Sequence, residues 1–230
     1  EVLTFVDGGT SVQWMLDAGA KVMNLLTKGS LNHLQHQLKK TPEQHFAEIQ
    51  ATIELANSKG LKVNVYLEDW SNGMRNSKDY VLRYLDFITQ LPVKRILLPD
   101  TLGVLTYWET GEYIKELVTR YPNTHFDFHA HNDYDLGTAN ALEAVRNGIH
   151  GLHLTVNGMG ERAGNAPLAS VIAVLNDYQK DVKTSVCEKS LYSVSKLVET
   201  FSGFRIPANK PVVGENVFTL NPLPSQTLNL

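Results

Sequence analysis

Short apolar runs alternate with longer segments of helical periodicity along most of the chain. Strands are predicted at Val2–Val6, Lys21–Leu26, Lys62–Leu67, Arg95–Leu98, His125–His129 and Gly151–Val156. Helices are predicted between and after them, at Ser11–Ala18, Pro42–Lys59, Lys78–Gln90, Tyr107–Tyr121, Leu136–Asn147 and Pro167–Tyr178. Such repetition of strand and helix is typical of an α/β fold in which helices cover a parallel sheet.

The third predicted strand separates two kinds of side chain by simple alternation. One face carries Val63, Val65 and Leu67, and the other carries Asn64, Tyr66 and Glu68. The aliphatic face suits packing against helices, whereas the polar and acidic face suits the inside of a barrel. In such barrels the functional residues cluster at the C-terminal ends of the strands. Five candidate residues fall at such ends: Glu68, Thr101, His129, His131 and Asn165.

Composition excludes several classes of protein. A chain of 230 residues with 43% hydrophobic content can bury one substantial core. The net charge of −3 and the absence of basic runs argue against a nucleic-acid partner or a membrane-surface partner. No apolar run reaches the roughly 18 residues of a membrane span. Cys187 is the only cysteine, so no internal disulfide is possible, which suits a cytoplasmic location.

Two histidines leave the fifth predicted strand on one face. His129 and His131 are two residues apart, and side chains at that spacing on a strand point the same way. Two imidazoles so placed can hold one divalent metal ion; the alternative is two ordinary histidines at a strand-to-loop junction. The histidines at positions 33, 36 and 45 fall on a solvated helical stretch and need no ligand.

A glycine-rich loop follows the sixth predicted strand. The segment Thr155–Asn165 contains Gly158, Gly160 and Gly164, three glycines within seven residues. Glycine lets one backbone segment approach another closely, and it equally lets backbone approach a ligand. The loop therefore predicts either a tight structural turn or part of a binding site.

The two motifs together are similar to those of one enzyme family. His-x-His-Asn-Asp followed by Asn-Gly-x-Gly-Glu-Arg-x-Gly-Asn resembles the 2-isopropylmalate synthase, citramalate synthase and homocitrate synthase family, which are metal-dependent Claisen-condensing enzymes on a TIM (β/α)8 barrel. The match runs from about Glu1 to about Phe218. Four further segments look most like the citramalate synthase branch: Phe5–Gly8, Asn24–Ser30, Asn64–Gly73 and Leu98–Gly103.

The resemblance also implies how the chain is divided. A closed barrel needs eight βα units, and six are predicted here, so the first two units of the family's barrel are expected to be absent. The family's Arg-Asp-Gly segment, which carries a metal-ligating aspartate, does not occur in this sequence. Residues 1–185 would form the incomplete catalytic barrel. Residues 186–230 would form a C-terminal helix and an extended linker toward an accessory domain.

The resemblance assigns a metal centre and a catalytic acid. His129, His131 and Asn165 would ligate a divalent metal, Zn²⁺ or Mn²⁺ with Mg²⁺ as a further option. The alternative for Asn165 is an amide that braces the glycine turn. Glu68 corresponds to the family's catalytic glutamate; the alternatives are an exposed strand-end acid, or the adjacent Asp69 in the same role.

The resemblance also assigns residues that contact substrate. Thr101 would hydrogen-bond the substrate carboxylate, and its alternative is a helix N-cap. Leu26 and Tyr66 would form the hydrophobic wall of the citramalate branch, admitting a methyl group and excluding an isopropyl group. The alternative is plain packing of the barrel, and the two roles are compatible.

The implied activity is an acyltransferase reaction on small molecules. Acetyl-CoA as co-substrate would condense with pyruvate, giving (R)-citramalate and CoA in isoleucine-precursor synthesis, and a homodimer is expected. Condensation with 2-oxoisovalerate, as in leucine biosynthesis, or with 2-oxoglutarate is the alternative. A lyase of the same superfamily and a non-catalytic barrel remnant are further alternatives. The loop Gly158–Asn165 contains no cysteine, which counts against the lyase.

Overall fold

Six parallel strands form one sheet in the order of the chain. The computed structural model describes residues 1–179 and 181–219. The strands are β1 (Val2–Phe5), β2 (Val22–Lys28), β3 (Lys62–Glu68), β4 (Arg95–Asp100), β5 (Phe126–Ala130) and β6 (Gly151–His153). Each pairs in parallel with the next. The predicted α/β class with a parallel sheet is confirmed, and β1 and β6 are the sheet's edges within the described residues.

Helices connect the strands and cover the outer face of the sheet. They are α1 (Thr10–Asp17), α2 (Leu31–His33, continued by a π-helical stretch, Leu34–Leu38), α3 (Pro42–Ser58), α4 (Trp70–Asn76), α5 (Lys78–Ile88), α6 (Tyr107–Arg120), α7 (Gly137–Arg146), α8 (Leu168–Tyr178) and α9 (Leu191–Ser202). The six helices predicted with bounds end within two residues of their predicted limits. The periodicity did not predict α2 and α4, which lie directly beside the candidate site.

The N-terminus of α3 is fixed by its own sequence. The Thr41 hydroxyl accepts from the N–H of Gln44, and the Gln44 side chain accepts from the N–H of Thr41, which forms a capping box. Pro42 occupies the first helical position, where its missing N–H costs nothing. Phe46 and Ile49 then turn into the core, so the helix packs against the sheet.

Strand phase places the core on one side of the sheet and the polar groups on the other. Val63, Val65 and Leu67 are fully buried among the helices, while Tyr66 and Glu68 are half-buried on the inner face. The predicted division of β3 is therefore correct.

The sixth strand is shorter than predicted. The prediction extended to Val156, but β6 ends at His153. Val156–Gly158 forms a 3₁₀ turn in which Asn157 has a left-handed φ of 60°, so the chain turns out of the sheet and into the glycine-rich loop.

The C-terminal segment packs on α8 through a small second core. Ala169 and Ile172 of α8 contact Leu191 at the start of α9, together with Val213. Residues 220–230, which include the end of the predicted linker, lie outside the described residues, and the division at residue 185 stays a prediction. Across the described residues, no helix is both long and apolar enough to cross a membrane.

His45 is buried, so its predicted exposure is wrong. It lies on the inner side of α3 with 1% of its surface exposed. Its Nε2 accepts a hydrogen bond of 3.1 Å from the backbone N–H of Lys28 at the end of β2. Burial lowers the pKa of His45 from 6.5 to about 4, although the charge of Glu48 acts in the opposite direction.

This burial predicts a pH-dependent stability. The unfolded chain protonates His45 below pH 6.5, whereas the folded chain resists protonation down to about pH 4. The stability that neutral, buried His45 contributes is therefore complete above pH 6.5, and it is lost as the pH falls from 6.5 to about 4. We expect about 2 to 3 kcal/mol of the free energy of unfolding to be lost between roughly pH 7 and pH 4.5.

Urea unfolding of the parent and of His45→Gln measures this loss. Glutamine can accept the Lys28 hydrogen bond but does not titrate, so the variant should lose correspondingly less stability over the same pH range. An equal loss in parent and variant would contradict the assignment.

Candidate metal centre and active site

The imidazoles of His129 and His131 converge on one point at the C-terminal edge of the sheet. Their Nε2 atoms are 3.3 Å apart and their rings are nearly perpendicular, at 87°. Two nitrogens that share one metal ion at about 2.1 Å lie roughly 3.0–3.4 Å apart for angles between square and tetrahedral. The separation of the two Nε2 atoms therefore fits a shared ion.

The protonation state of the pair also suits a metal ion. Burial, followed by the charge of His131, lowers the pKa of His129 to about 4. Burial, followed by the charge of Arg162, lowers the pKa of His131. Neutral imidazoles are the form that binds a metal, so both groups are ready to ligate at neutral pH.

Asn165 is brought beside the pair by the backbone. Residues His131 and Asn165 form an antiparallel bridge. The Asn165 Nδ2 donates to the carbonyl of Met159 at 3.0 Å, so the amide does brace the glycine turn. Its Oδ1 is buried and has no hydrogen-bond partner among the described residues. An orphaned buried oxygen is costly unless a ligand satisfies it, so both predicted roles of Asn165 are compatible.

Glycines make this placement possible. A Cβ at Gly160 would lie 2.4 Å from Asn165 Nδ2, and a Cβ at Gly164 would lie 1.9 Å from the carbonyl oxygen of Gly158. Gly164 also has a φ of +84°, which strains other residues. The loop is thus a tight turn that holds Asn165 next to the strand end from which the two imidazoles project.

The described residues supply only part of a metal site. Within residues 1–179 and 181–219, no group of three or more His, Cys, Asp or Glu side chains is arranged to hold a metal ion. The candidate centre consists of two imidazoles and one amide oxygen, a mixed N and O set that suits Zn²⁺ or Mn²⁺. The carboxylate implied by the resemblance is not among the described groups.

Glu68 ends β3 and is contacted by the side chains of Lys28 and His33. Its Oε2 lies 2.5 Å from Lys28 Nζ, and its Oε1 lies 3.5 Å from His33 Nδ1. Lys28 is the register partner of Glu68 on the neighbouring strand β2. Only 21% of the Glu68 side chain is exposed, so it is not a freely solvated strand-end acid. Lys28 and His33 fix a carboxylate at the site edge.

Asp69 has a different task from Glu68. It is 1% exposed, and its carboxylate accepts from the Ser30 hydroxyl at 2.7 Å and from the Asn72 amide at 2.8 Å. Its backbone has a left-handed φ of 63° at the start of α4. Asp69 therefore stabilises the turn after β3, and Glu68 is the acid that remains accessible to a ligand.

Thr101 joins the loops that follow β3 and β4. Its Oγ1 accepts from the backbone N–H of Asp69 at 2.8 Å. The N-cap of α6 is Thr106, so the alternative role of Thr101 as a helix cap is wrong. Among the described residues, the Thr101 hydroxyl donates to no protein acceptor, and its proton is available to a ligand.

An arginine ties the remaining loops together. The Arg162 guanidinium donates to both carboxylate oxygens of Asp133 at 2.9 Å and to the carbonyl of Thr101 at 2.6 Å. Glu161 is 3.7 Å away and 83% exposed. The bidentate partner of Arg162 is therefore Asp133, and the loops after β4, β5 and β6 are connected around the candidate centre.

Leu26 and Tyr66 are register partners on the inner faces of β2 and β3. Both are half-buried. The Tyr66 hydroxyl lies 2.7 Å from Nδ1 of His153 on β6. Burial, followed by the charges of Asp127 and Glu1, raises the pKa of Tyr66 to about 12, so the phenol keeps its proton. The two side chains form a wall on the inner face, two residues before Lys28 and Glu68 along their strands.

A family model agrees with this arrangement. The model of the HMGL-like family matches residues 9–198. The chain belongs to the HMGL-like family. The predicted resemblance is thereby confirmed at the level of the family.

Relatives of this HMGL-like chain include three kinds of synthase. A probable 2-isopropylmalate synthase from Ignicoccus hospitalis is 36% identical over 89% of the chain and 50% of the relative. A putative (R)-citramalate synthase from Methanopyrus kandleri is 35% identical over 89% of the chain and 40% of the relative. A homocitrate synthase from Saccharolobus solfataricus is 37% identical over 81% of the chain and 39% of the relative. The chain spans half or less of these proteins.

Solved structures confirm the fold of the HMGL-like chain. The HMG-CoA lyase from Bacillus subtilis superimposes with a TM-score of 0.76 at 20% identity, covering 94% of this chain and 72% of that one. The hydroxymethylglutaryl-CoA lyase from Pseudomonas aeruginosa gives 0.76 at 18% identity, covering 88% and 70%. At such identities the match establishes a TIM-barrel architecture and nothing about activity.

Sequence reasoning missed four residues around the site. Lys28 has the same strand parity as Leu26, so extending β2 by two residues would have placed it on the inner face. Asp127 has the same parity as His129 and could be found in the same way. His33 lies on a three-residue helix that no periodicity reveals. The pattern places His153 on β6, but it does not reveal its partner Tyr66, which lies on β3, three strands away.

Proposed function

We propose that this chain carries the catalytic face of an enzyme that condenses acetyl-CoA with a 2-oxoacid, with pyruvate as the substrate. One observation carries the proposal: the Nε2 atoms of His129 and His131 lie 3.3 Å apart, and the backbone of His131 is bridged to Asn165, whose buried Oδ1 has no hydrogen-bond partner among the described residues. The relatives with named activities support an acetyl-CoA-dependent condensation and do not discriminate between 2-oxoacids. The homodimer and the cytoplasmic location stay predictions.

His129, His131 and Asn165 would hold a divalent metal ion, and such an ion supplies a Lewis acid that polarises the carbonyl of a 2-oxoacid. The Thr101 hydroxyl would donate to the substrate carboxylate, since it has no other acceptor among the described residues. Leu26 and Tyr66 would contact the alkyl group of the substrate. These contacts fix the orientation of the keto carbon before reaction.

Glu68 would move the proton of the condensation. Its carboxylate takes a proton from the methyl group of the acetyl thioester, and the resulting carbanion carbon bonds to the keto carbon. The keto oxygen takes up a proton and becomes a hydroxyl. Water then cleaves the C–S bond, which leaves a second carboxylate and CoA. Lys28 and His33, which contact Glu68, hold it in place for this transfer.

Release of CoA from acetyl-CoA, followed through the new thiol, tests the proposed function. In the whole natural protein, release should require both a divalent metal and a 2-oxoacid. Release that is unchanged when the 2-oxoacid is omitted would contradict condensation.

We expect the whole protein to prefer pyruvate over 2-oxoisovalerate by at least roughly tenfold in kcat/KM, the scale of methylene-sized discrimination. The reason is the proposed wall of Leu26 and Tyr66, which would contact the methyl group of pyruvate and exclude an isopropyl group. Leu26→Ala should narrow the preference because it removes part of that wall. Steady-state kinetics with the two substrates measures the ratio.

The matched control is Leu55→Ala, since Leu55 lies on the outside of α3 with 37% of its surface exposed. It should leave the preference unchanged. A parent protein that turns over 2-oxoisovalerate better than pyruvate would move the proposal to 2-isopropylmalate synthase chemistry. A preference for 2-oxoglutarate would move it to homocitrate synthase chemistry.

A further inference from the structure

A chain of hydrogen bonds crosses the inner face of the sheet behind the substrate wall. It begins at the Tyr66 hydroxyl on β3, which lies 2.7 Å from His153 Nδ1 on β6. It continues from His153 Nε2, which lies 3.3 Å from Asp127 Oδ2 on β5. Three strands therefore contribute to one polar chain that ends on a wall residue.

The chemistry of the three groups fixes the direction of these hydrogen bonds. The Asp127 carboxylate faces the Arg95 guanidinium and the imidazoles of His125 and His153, three groups that pair with an ionised carboxylate. An ionised carboxylate only accepts, so His153 must donate through Nε2. In the neutral imidazole Nδ1 is then an acceptor, and the Tyr66 hydroxyl is the donor that satisfies it.

Asp127 is itself firmly placed at the far end of the chain. Its side chain is 2% exposed and also contacts His125 Nε2 at 2.9 Å and Arg95 at 3.6 Å. Gly151 leaves the space that this carboxylate occupies, since a Cβ at Gly151 would lie 2.2 Å from Asp127 Oδ1. The missing side chain at Gly151 thus leaves room for the Asp127 carboxylate to contact His153.

We propose that His153 and Asp127 are positioning residues that lock the Tyr66 ring and thereby set the size of the 2-oxoacid that the pocket admits. The inference rests on the proposed function, because it assigns the specificity of that same site. A larger alkyl group would have to displace the Tyr66 ring, which would break the hydrogen bond to His153. A rigid wall excludes an oversized group more strongly than a mobile wall does.

Three variants test the lock through substrate preference in the whole protein. His153→Leu removes both hydrogen bonds, and Tyr66→Phe removes one. Each should reduce the kcat/KM ratio of pyruvate to 2-oxoisovalerate by roughly fivefold or more, within the range of pocket discrimination. Because both changes release the same ring, the double variant should show no further loss.

Two control variants separate the lock from general damage. His153→Gln retains an acceptor and a donor in one side chain, and it should keep most of the parent's ratio. Tyr84→Phe removes another buried tyrosine hydroxyl, which donates to Thr27 on the outer face at 2.7 Å, and it should leave the ratio unchanged. Unchanged ratios in His153→Leu and Tyr66→Phe would overturn the proposal, and so would losses that multiply in the double variant.

A second measurement tests the Tyr66–His153 hydrogen bond without requiring enzymatic turnover. Nitrogen-15 NMR of this chain should show His153 as the Nε2–H tautomer, and Tyr66→Phe should shift its Nδ1 resonance while Tyr84→Phe should not. A His153 tautomer with hydrogen on Nδ1 would overturn the lock. A protein with the expected tautomer that turns over no 2-oxoacid would instead refute the proposed function.

Discussion

The double variant His129→Ala/His131→Ala is expected to lose the metal site completely. The parent should bind about one Zn²⁺ or Mn²⁺ per chain through the two imidazoles and Asn165. Alanine removes both nitrogen ligands, and a lone amide oxygen cannot retain the ion. Elemental analysis after dialysis measures the content. A thermal shift on adding metal, present in the parent and absent in the variant, gives an independent readout.

An exposed histidine provides the control for this loss. His36 lies on the solvent side of the π-helical stretch, and His36→Ala should retain the parent's metal content. Equal metal content in the parent and in His129→Ala/His131→Ala would remove the basis of the proposed metal centre.

Glu68→Gln is expected to lower kcat of the whole protein by about 10²–10⁴-fold, the usual range for a lost general acid or base. Glutamine preserves the size of the side chain but cannot take the proton. It also loses the charge that pairs with Lys28 Nζ, so a small loss of stability should accompany the change. Metal content should stay at the parent's value because Glu68 is not among the proposed ligands.

Asp69→Asn is the control at the neighbouring residue, and the contacts of Asp69 define its expected effect. Asp69 accepts hydrogen bonds from Ser30 and Asn72 in a buried turn. Asp69→Asn should therefore lower the free energy of unfolding, while its loss of kcat should be smaller than that of Glu68→Gln. A larger loss of kcat from Asp69→Asn than from Glu68→Gln would show that Asp69 is the catalytic acid. Small and equal losses of kcat from both variants would show that the end of β3 only shapes the pocket.

Much of the fold could be predicted because alternation and periodicity report burial directly. The division of β3 into an aliphatic face and a polar face placed Tyr66 and Glu68 on the inner face, as observed. The spacing of His129 and His131 predicted a shared point, and their Nε2 atoms are 3.3 Å apart. Residues two apart on one strand need no knowledge of the rest of the fold to be placed together.

Partners from distant elements could not be predicted in the same way. Lys28 meets Glu68 because β2 and β3 pair in one particular register, and a single sequence does not reveal that register. The helical pattern predicts that His33 and His45 are solvated, yet His33 contacts Glu68 and His45 is buried against β2. The Tyr66–His153–Asp127 chain needs three strands at once, which only the assembled sheet provides.

The position of a bound metal ion tests the central claim most directly. Crystals of the protein grown with Mn²⁺ and measured near the manganese absorption edge would locate the ion by its anomalous scattering. We predict one strong peak about 2.1–2.3 Å from His129 Nε2, His131 Nε2 and Asn165 Oδ1. A peak elsewhere on the protein, or none at this position in a metal-saturated crystal, would contradict the account.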